Sequence, residues 1–277
     1  MALATAAETA NREAVASAAD ALPKSSPIYR ELIFDSIEGV KKALDTLSGE
    51  IHLSALGGLM EGAHHVRSVI TDRTRGTMDR GSWVQVFGGS GTSGDADGTA
   101  KAARSTYGVA VGAEAQVHEA VSLGVGLGIS STDIDVDDRH SEAEADSMHL
   151  AVYGNVSLAP LGLLEGEMRF GAAYGWHDIE TERTAAYGTA LEQLESSYDA
   201  QTGQVFAEIG YDVAGLLGAD DLVEGETPVI EPFGGLAYVH HRSDGFSEAG
   251  GGAALAVESS SVGLAYSTLG VRGQPDL

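Results

Sequence analysis

The chain has 277 residues, no cysteine, and 41 acidic against 16 basic residues, for a formal charge of −25. Cysteine nucleophiles, thiolate metal sites and a disulfide framework are thereby excluded, and so large a negative charge repels phosphate backbones, which argues against nucleic acid as a partner. Nowhere do about 18 apolar residues run together, which sets aside a transmembrane helix but not a membrane β-barrel, whose lipid face is visible only as alternation.

Residues 1–34 are rich in alanine, yet Glu8, Arg12, Glu13 and Asp20 interrupt any apolar core that a secretory signal would need. Pro23 and Pro27 disfavour helix just before them. This lead reads as a linker or the remnant of an upstream domain, without an export signal of its own. From Asp35 to about Arg75 the spacing of Leu44, Leu47, Ile51, Ala55 and Leu59 predicts one amphipathic helix, with Gly76 as a stop.

After Gly81 the period changes from helical to two. Val121, Leu123, Val125, Leu127 and Ile129 alternate with Ser122, Gly124, Gly126 and Gly128; Met168, Phe170, Ala172, Tyr174 and Trp176 alternate with Glu167, Arg169, Gly171, Ala173, Gly175 and His177. The same reading covers Trp83 to Gly89, Thr106 to Val117, His149 to Leu158, Gln204 to Val213, Val229 to His240 and Val262 to Arg272, eight strands in all. The connections alternate between short ones, such as His118 to Ala120, and long polar ones, such as Ser130 to Asp146 and Asp178 to Tyr198. Membrane barrels alternate short periplasmic turns with long external loops. A soluble, acidic, adhesin-like β-module is the alternative, because sandwiches also alternate.

If the apolar rows face lipid, then Glu114, Glu167, Glu208, Asp212 and Glu231 line the lumen. The predicted helix carries Lys41, Lys42, Arg67, Arg73 and Arg75. A basic helix inside an acidic lumen is attracted to it with little screening; a solvated surface helix is the competing reading.

Weaker patterns carry less. Gly89, Gly91 and Gly94 have a GxGxxG spacing, but aspartates follow where a phosphate loop needs a helix. Asp133, Asp135, Asp137 and Glu144 fall at positions one, three, five and twelve of a calcium loop, yet Asp138 stands where the turn needs glycine, leaving weak metal binding by clustered carboxylates as all the pattern allows. The pairs His64 with His65 and His240 with His241 are adjacent residues, which point apart. No GxSxG elbow is present, so no serine nucleophile is supported, and no catalytic site or cofactor is expected.

The runs ALDTLSGEIHLSAL (Ala43 to Leu56) and VRSVITDR (Val66 to Arg73) resemble the linker helix that enters an autotransporter barrel. WVQVFGG (Trp83 to Gly89), FGAAYGWHDIETER (Phe170 to Arg183), QVFAEIGY (Gln204 to Tyr211), EPFGGLAYVHHRSDGF (Glu231 to Phe246) and STLGVR (Ser267 to Arg272) continue the likeness in order. The resemblance implies an outer-membrane β-barrel of type V secretion: residues 35–80 thread the lumen, residues 81–277 form the barrel, and an N-terminal passenger polypeptide is exported and anchored. It further implies outer-membrane lipid and the barrel-assembly machinery as partners, and twelve strands ending in an aromatic residue. Eight strands and a C-terminus at Asp276 and Leu277 therefore predict an incomplete barrel: a fragment, a truncated non-translocating remnant, or a rearranged eight-stranded closure.

Overall fold

The computed structural model describes residues 3, 7–75, 81–94, 98–161, 166–213 and 229–274. Four helices come first: α1 (Ala10–Asp20), α2 (Pro27–Phe34), α3 (Ile37–Leu47) and α4 (Glu50–Arg73). Strands β1 (Gly81–Ser93), β2 (Ala102–His118), β3 (Val121–Val136), β4 (Ser141–Ser157), β5 (Gly166–Tyr187), β6 (Ala190–Tyr211) and β7 (Val229–Ser243) follow. A two-residue pair, β8 (Phe246–Ser247) with β9 (Ala256–Val257), lies in the connection to the last strand, β10 (Ser260–Gln274). The eight long strands form one antiparallel meander in the order β1-β2-β3-β4-β5-β6-β7-β10. Among the described residues β1 and β10 are its two edges and do not pair with each other.

All eight predicted strands exist, but most run well beyond their predicted ends. The stretches read as long external loops are strand: β3 reaches Val136 and β4 begins at Ser141, with one 3₁₀ turn (Asp137–Arg139) and a left-handed His140 between them. β5 and β6 pair in register from Gly166↔Tyr211 to Tyr187↔Ala190, and the left-handed φ of +55° at Gly188 permits the two-residue turn. At 22 residues each, these strands reach about 70 Å, against an apolar band about 25 Å tall.

The physical reason lies in the phase of the alternation. In the lower half the apolar residues point outward: Leu123, Val125, Leu127 and Ile129 on β3, Met148, Leu150 and Val152 on β4, Tyr174 and Trp176 on β5. Above Ile129 the apolar residues move to the inward positions, with Ile134 and Val136 on β3, Ala143 and Ala145 on β4, Ile179 on β5, and Leu194 and Tyr198 on β6, all buried. The pleat is continuous while the solvent on the outside changes from lipid to water, so the greasy row changes faces.

The helices fill the concave side. Instead of one helix from Asp35 to Arg75, two are present, because Ser48 is extended and Gly49 caps α4. At the break Gly49 is closely approached by the β7–β10 connection: a β-carbon there would lie 2.8 Å from Leu255 Cδ1. Ser36 caps α3 by accepting from the Gly39 amide at 3.1 Å. Residues 10–34 hold two docked helices: Arg12 donates twice to Asp45 at 2.7 Å, and Ala16, Ala19 and Leu32 share a core with Leu44, Leu47, Ala185, Tyr187 and Leu194. Pro27, predicted only to interrupt, opens α2 at the position where its missing N–H is harmless. Gly76 lies outside the described residues; α4 ends at Arg73, capped by the Thr74 amide.

Candidate functional site

The site is the lumen and its occupant, α4. Ile51, Ala55 and Leu59 pack against Ile134, Ala143, Ala145 and Ile179 near the outer end, and Val66 and Ile70 pack against Ala151, Tyr153, Ala173 and Phe206 further in. Between these clusters polar groups take over. Gln204 accepts from Arg67 at 2.9 Å and donates to the Ala63 carbonyl at 2.9 Å, tying helix to wall through both ends of one amide. A belt of wall residues runs across three strand pairs: Ser147 to His177 at 2.7 Å, His177 to Thr202 at 3.0 Å, and Thr202 to His241 at 3.0 Å.

At the inner end the charges converge. Arg73 donates to Glu114, which also accepts from Tyr153, and Tyr153 accepts from Trp83 at 2.6 Å. Arg169, with a side chain 4% exposed, reaches Glu231 at 2.6 Å, Glu167 at 2.8 Å and Glu208 at 3.2 Å, and donates to the Thr74 carbonyl at the helix end. Arg272 joins Glu208 and Glu231 from β10, with its guanidinium 3.4 Å from the Phe233 ring centre. Arg75 pairs with Asp72 and lies 3.8 Å from Glu208. Four of the five predicted luminal acids thus lie at this end in two clusters, Glu114 with the predicted helix cation Arg73, and Glu167, Glu208 and Glu231 around Arg169 with the predicted helix cation Arg75 beside Glu208.

The remaining predictions separate from that network. Lys41 and Lys42 belong to α3, outside the pore helix: Lys41 bonds Glu8 at 2.8 Å and Lys42 is exposed. The break at Gly49 turns the helix before the lumen, which is why these two lysines never enter it. Asp212 lies just past the end of β6 and accepts from the Ile230 amide at 3.4 Å. Asp133 and Asp135 stand on β3 rather than in a loop, because the buried Ile134 between them and Val136 after them keep the strand alternation, while Asp137 starts the 3₁₀ turn. Among the described residues no three acidic or histidine side chains converge as metal ligands. His64 bonds Arg67, and His241 bonds Thr202, so neither histidine pair acts as a unit. Gly89 and Gly91 are in β1.

The outer mouth holds a second ionic cluster that sequence reasoning did not single out. The connection between β7 and β10 folds inward, and Glu248 accepts from Arg183 at 2.7 and 2.6 Å, from His52 at 3.0 Å and from the Leu255 amide at 2.8 Å. Burial alone would raise the Glu248 carboxyl, but hydrogen bonds from His52 and Arg183 outweigh it and bring the pKa down to about 2. Arg183 also donates to the Thr46 and Ala253 carbonyls, and Phe246 stacks on Tyr198 at 4.1 Å. The only sequence signal was parity, since Arg183 shares its row with Arg169 and His177.

An outward apolar band, a charged concave face and a helix lying along that face are the features of an outer-membrane β-barrel wall with an internal occupant, here an eight-stranded sheet open between β1 and β10 among the described residues. The sequence profile of the autotransporter beta-domain matches residues 82–277, and the chain belongs to that family. Two proteins of Serratia marcescens, each named extracellular serine protease, are both 31% identical to it, over 262 and 258 residues. These alignments cover 90% and 89% of this chain but 24% and 23% of the relatives, so the chain spans about a quarter of their length. The translocator domain of the autotransporter NalP from Neisseria meningitidis superposes with a TM-score of 0.63 at 19% identity, covering 80% of this chain and 71% of that one. The chain thus carries the autotransporter β-domain, the translocator domain that this family places in the outer membrane.

Proposed function

We propose that α4 is the resident plug and tether of this translocator, held after export by the luminal acids Glu114, Glu167, Glu208 and Glu231 acting on Arg73, Arg75, Arg169 and the helix end. The observation that carries this reading is Arg169, which joins three wall carboxylates to the Thr74 carbonyl in one buried node. Removing one partner from such a node leaves uncompensated buried charge, costing about 3 to 5 kcal/mol. Lys41, Lys42 and Asp212 belong to the surroundings of the mouth and inner rim, and Asp133, Asp135 and Asp137 to an acidic surface with no metal role in export. Residues 1–34 are read as the docked junction to the passenger, 35–80 as the helical connection and 81–277 as the barrel.

The names of the Serratia relatives support a secreted protease as the passenger class. The outward apolar band supports direct contact with outer-membrane lipid, and family membership supports delivery by the barrel-assembly machinery. The test is to fuse a signal-bearing reporter passenger to the whole chain and score its exposure to added protease on intact cells. Surface exposure of the reporter is expected; a reporter held entirely in the periplasm by a chain that still shows heat-modifiable gel migration overturns the reading.

A further inference from the structure

Strands β5 and β6 continue well above the apolar band, and the inward row of their tip is covered by the helices that precede α4. Leu44 of α3, Ala16 of α1 and Leu32 of α2 share a buried core with Tyr187 and Leu194 of the tip and with Ala253 of the connection from β7 to β10. An amphipathic helix buries its apolar stripe where a matching surface stands, and here that surface is the inner wall of the outer mouth. The β7–β10 connection closes over the same place as a strap. Its Ala249 exchanges two backbone hydrogen bonds with Glu195 of β6, at 2.9 and 2.8 Å, and Gly250, at a φ of +119°, supplies the bend that follows.

All four outer connections of the described sheet, β1–β2, β3–β4, β5–β6 and β7–β10, are tied to α1, α3 or the first turn of α4. At β1–β2 the Ala100 amide donates to Glu50 at 2.6 Å, and Gly98 lies against Thr9, the residue that caps α1. At β3–β4 Arg139 donates to Glu50 at 2.9 Å and lies 3.6 Å from Asp45, which Arg12 of α1 also holds. At β5–β6 the Thr46 hydroxyl donates to the Ala186 carbonyl and accepts from its amide, both at 3.0 Å. At β7–β10 the Arg183 guanidinium, on a side chain 3% exposed, donates to Glu248 and the Ala253 carbonyl of the strap and to the Thr46 carbonyl of α3. None of these groups belongs to the inner clusters around Arg73 and Arg169, so the two ends share only α4 itself.

We infer that α1, α2 and α3, strapped by the β7–β10 connection, form a lid that shuts the outer end of the lumen as a second gate in series with α4. A lid held at points all around the rim lifts only when several contacts are lost together, and its apolar core would then be exposed to water. Two gates in series pass a solute only when both are open, so loss of the inner ionic contacts alone leaves the lumen shut. The inference goes beyond the plug reading of α4 and shares with it only the placement of the barrel in a membrane.

The test places the full chain in phosphatidylcholine vesicles loaded with a small fluorescent dye and a dextran, and follows the release of each. Arg73→Gln opens the inner end, Leu44→Asp opens the lid core, and the two are combined. Arg12→Gln with Arg139→Gln is the second lid variant, which leaves the core untouched. Each protein is checked for heat-modifiable migration, and trypsin cleavage after Lys41, paired with Glu8 in the closed lid, reports that the lid has lifted. Wild type and Arg73→Gln are expected to hold the dye. Adding Leu44→Asp to Arg73→Gln is expected to speed dye release at least about tenfold, because a buried unpaired carboxylate shifts the lid equilibrium by more than that factor, while the dextran stays inside. The clasp variant is expected to act in the same direction with a smaller effect. Release no faster than from Arg73→Gln alone overturns the lid and leaves α4 as the one gate. Release from the lid variants as fast as from the combined variant, with Arg73 intact, overturns the series arrangement and the plug reading with it. Lys41 protected in both lid variants, or dextran lost together with the dye, also overturns the inference.

Discussion

The lower and upper halves of β3 to β6 are the same pleated strands with opposite chemistry. Below Ile129 and Trp176 the outward row is apolar and the inward row small or polar; above them the outward row is acidic and the inward row apolar. Strand geometry alone says nothing about which face is core. The medium outside decides, and one sheet passing from lipid into water must exchange its faces. The lumen repeats the lesson along its axis, with apolar packing around Ile51, Ala55 and Leu59 at the outer end and a dense ionic node at the inner end.

The comparison breaks most severely at the inner node. Arg169→Leu is expected to destabilise the folded barrel by about 3 to 5 kcal/mol, because Glu167, Glu208 and Glu231 lose their shared cation; urea titration followed by gel migration measures it. Next comes the lipid band. Leu127→Arg, on the outward row, is expected to cost about 2 to 4 kcal/mol if it sits near mid-membrane, and reconstitution into thin and normal bilayers reads the difference. An outcome near zero would place that row in water and end the two-media account.

At the outer mouth, Glu248→Gln is expected to cost about 1.5 to 3 kcal/mol, the range for hydrogen bonds to a charged group. The pH dependence has a definite sign. The Glu248 pKa is lowered from its ordinary 4.5 to about 2, so its contribution is full above about 4.5 and is lost as pH falls toward 2. Wild type and Glu248→Gln should therefore converge in thermal stability across that window, and parallel curves would refute the assignment. The smallest effect belongs to the acidic face: Glu180→Lys, exposed on the upper strand, is expected to change stability by less than about 0.5 kcal/mol, against the large cost of a cation only a few rungs lower.

Much of this was legible in the chain. Period two located all eight strands, and placing charge on one row assigned Glu114, Glu167, Glu208 and Glu231 to the lumen with Arg73 and Arg75 facing them. The upper strand extensions were misread as loops because the acids interrupted the apolar row, although Ile134, Val136 and Ile179 preserved the alternation on the other face. The step of five positions from Ile129 to Ile134, an odd interval in period two, already records the change of medium.

What the amino-acid order determined alone is therefore whatever depends on local spacing: helix against strand, which residues share a row, and the sign of each row's charge. Tertiary structure alone decided which charges meet and where the helix ends. Arg73 and Glu114 are 41 positions apart, and Arg183 and Glu248 are 65 apart; their pairing depends on strand register and helix depth summed over many residues. The break at Gly49 likewise sits where Leu255, in a segment folded inward from the far end of the chain, approaches most closely. Periodicity is a property of neighbours along the chain, whereas a latch or a break is made by neighbours in space.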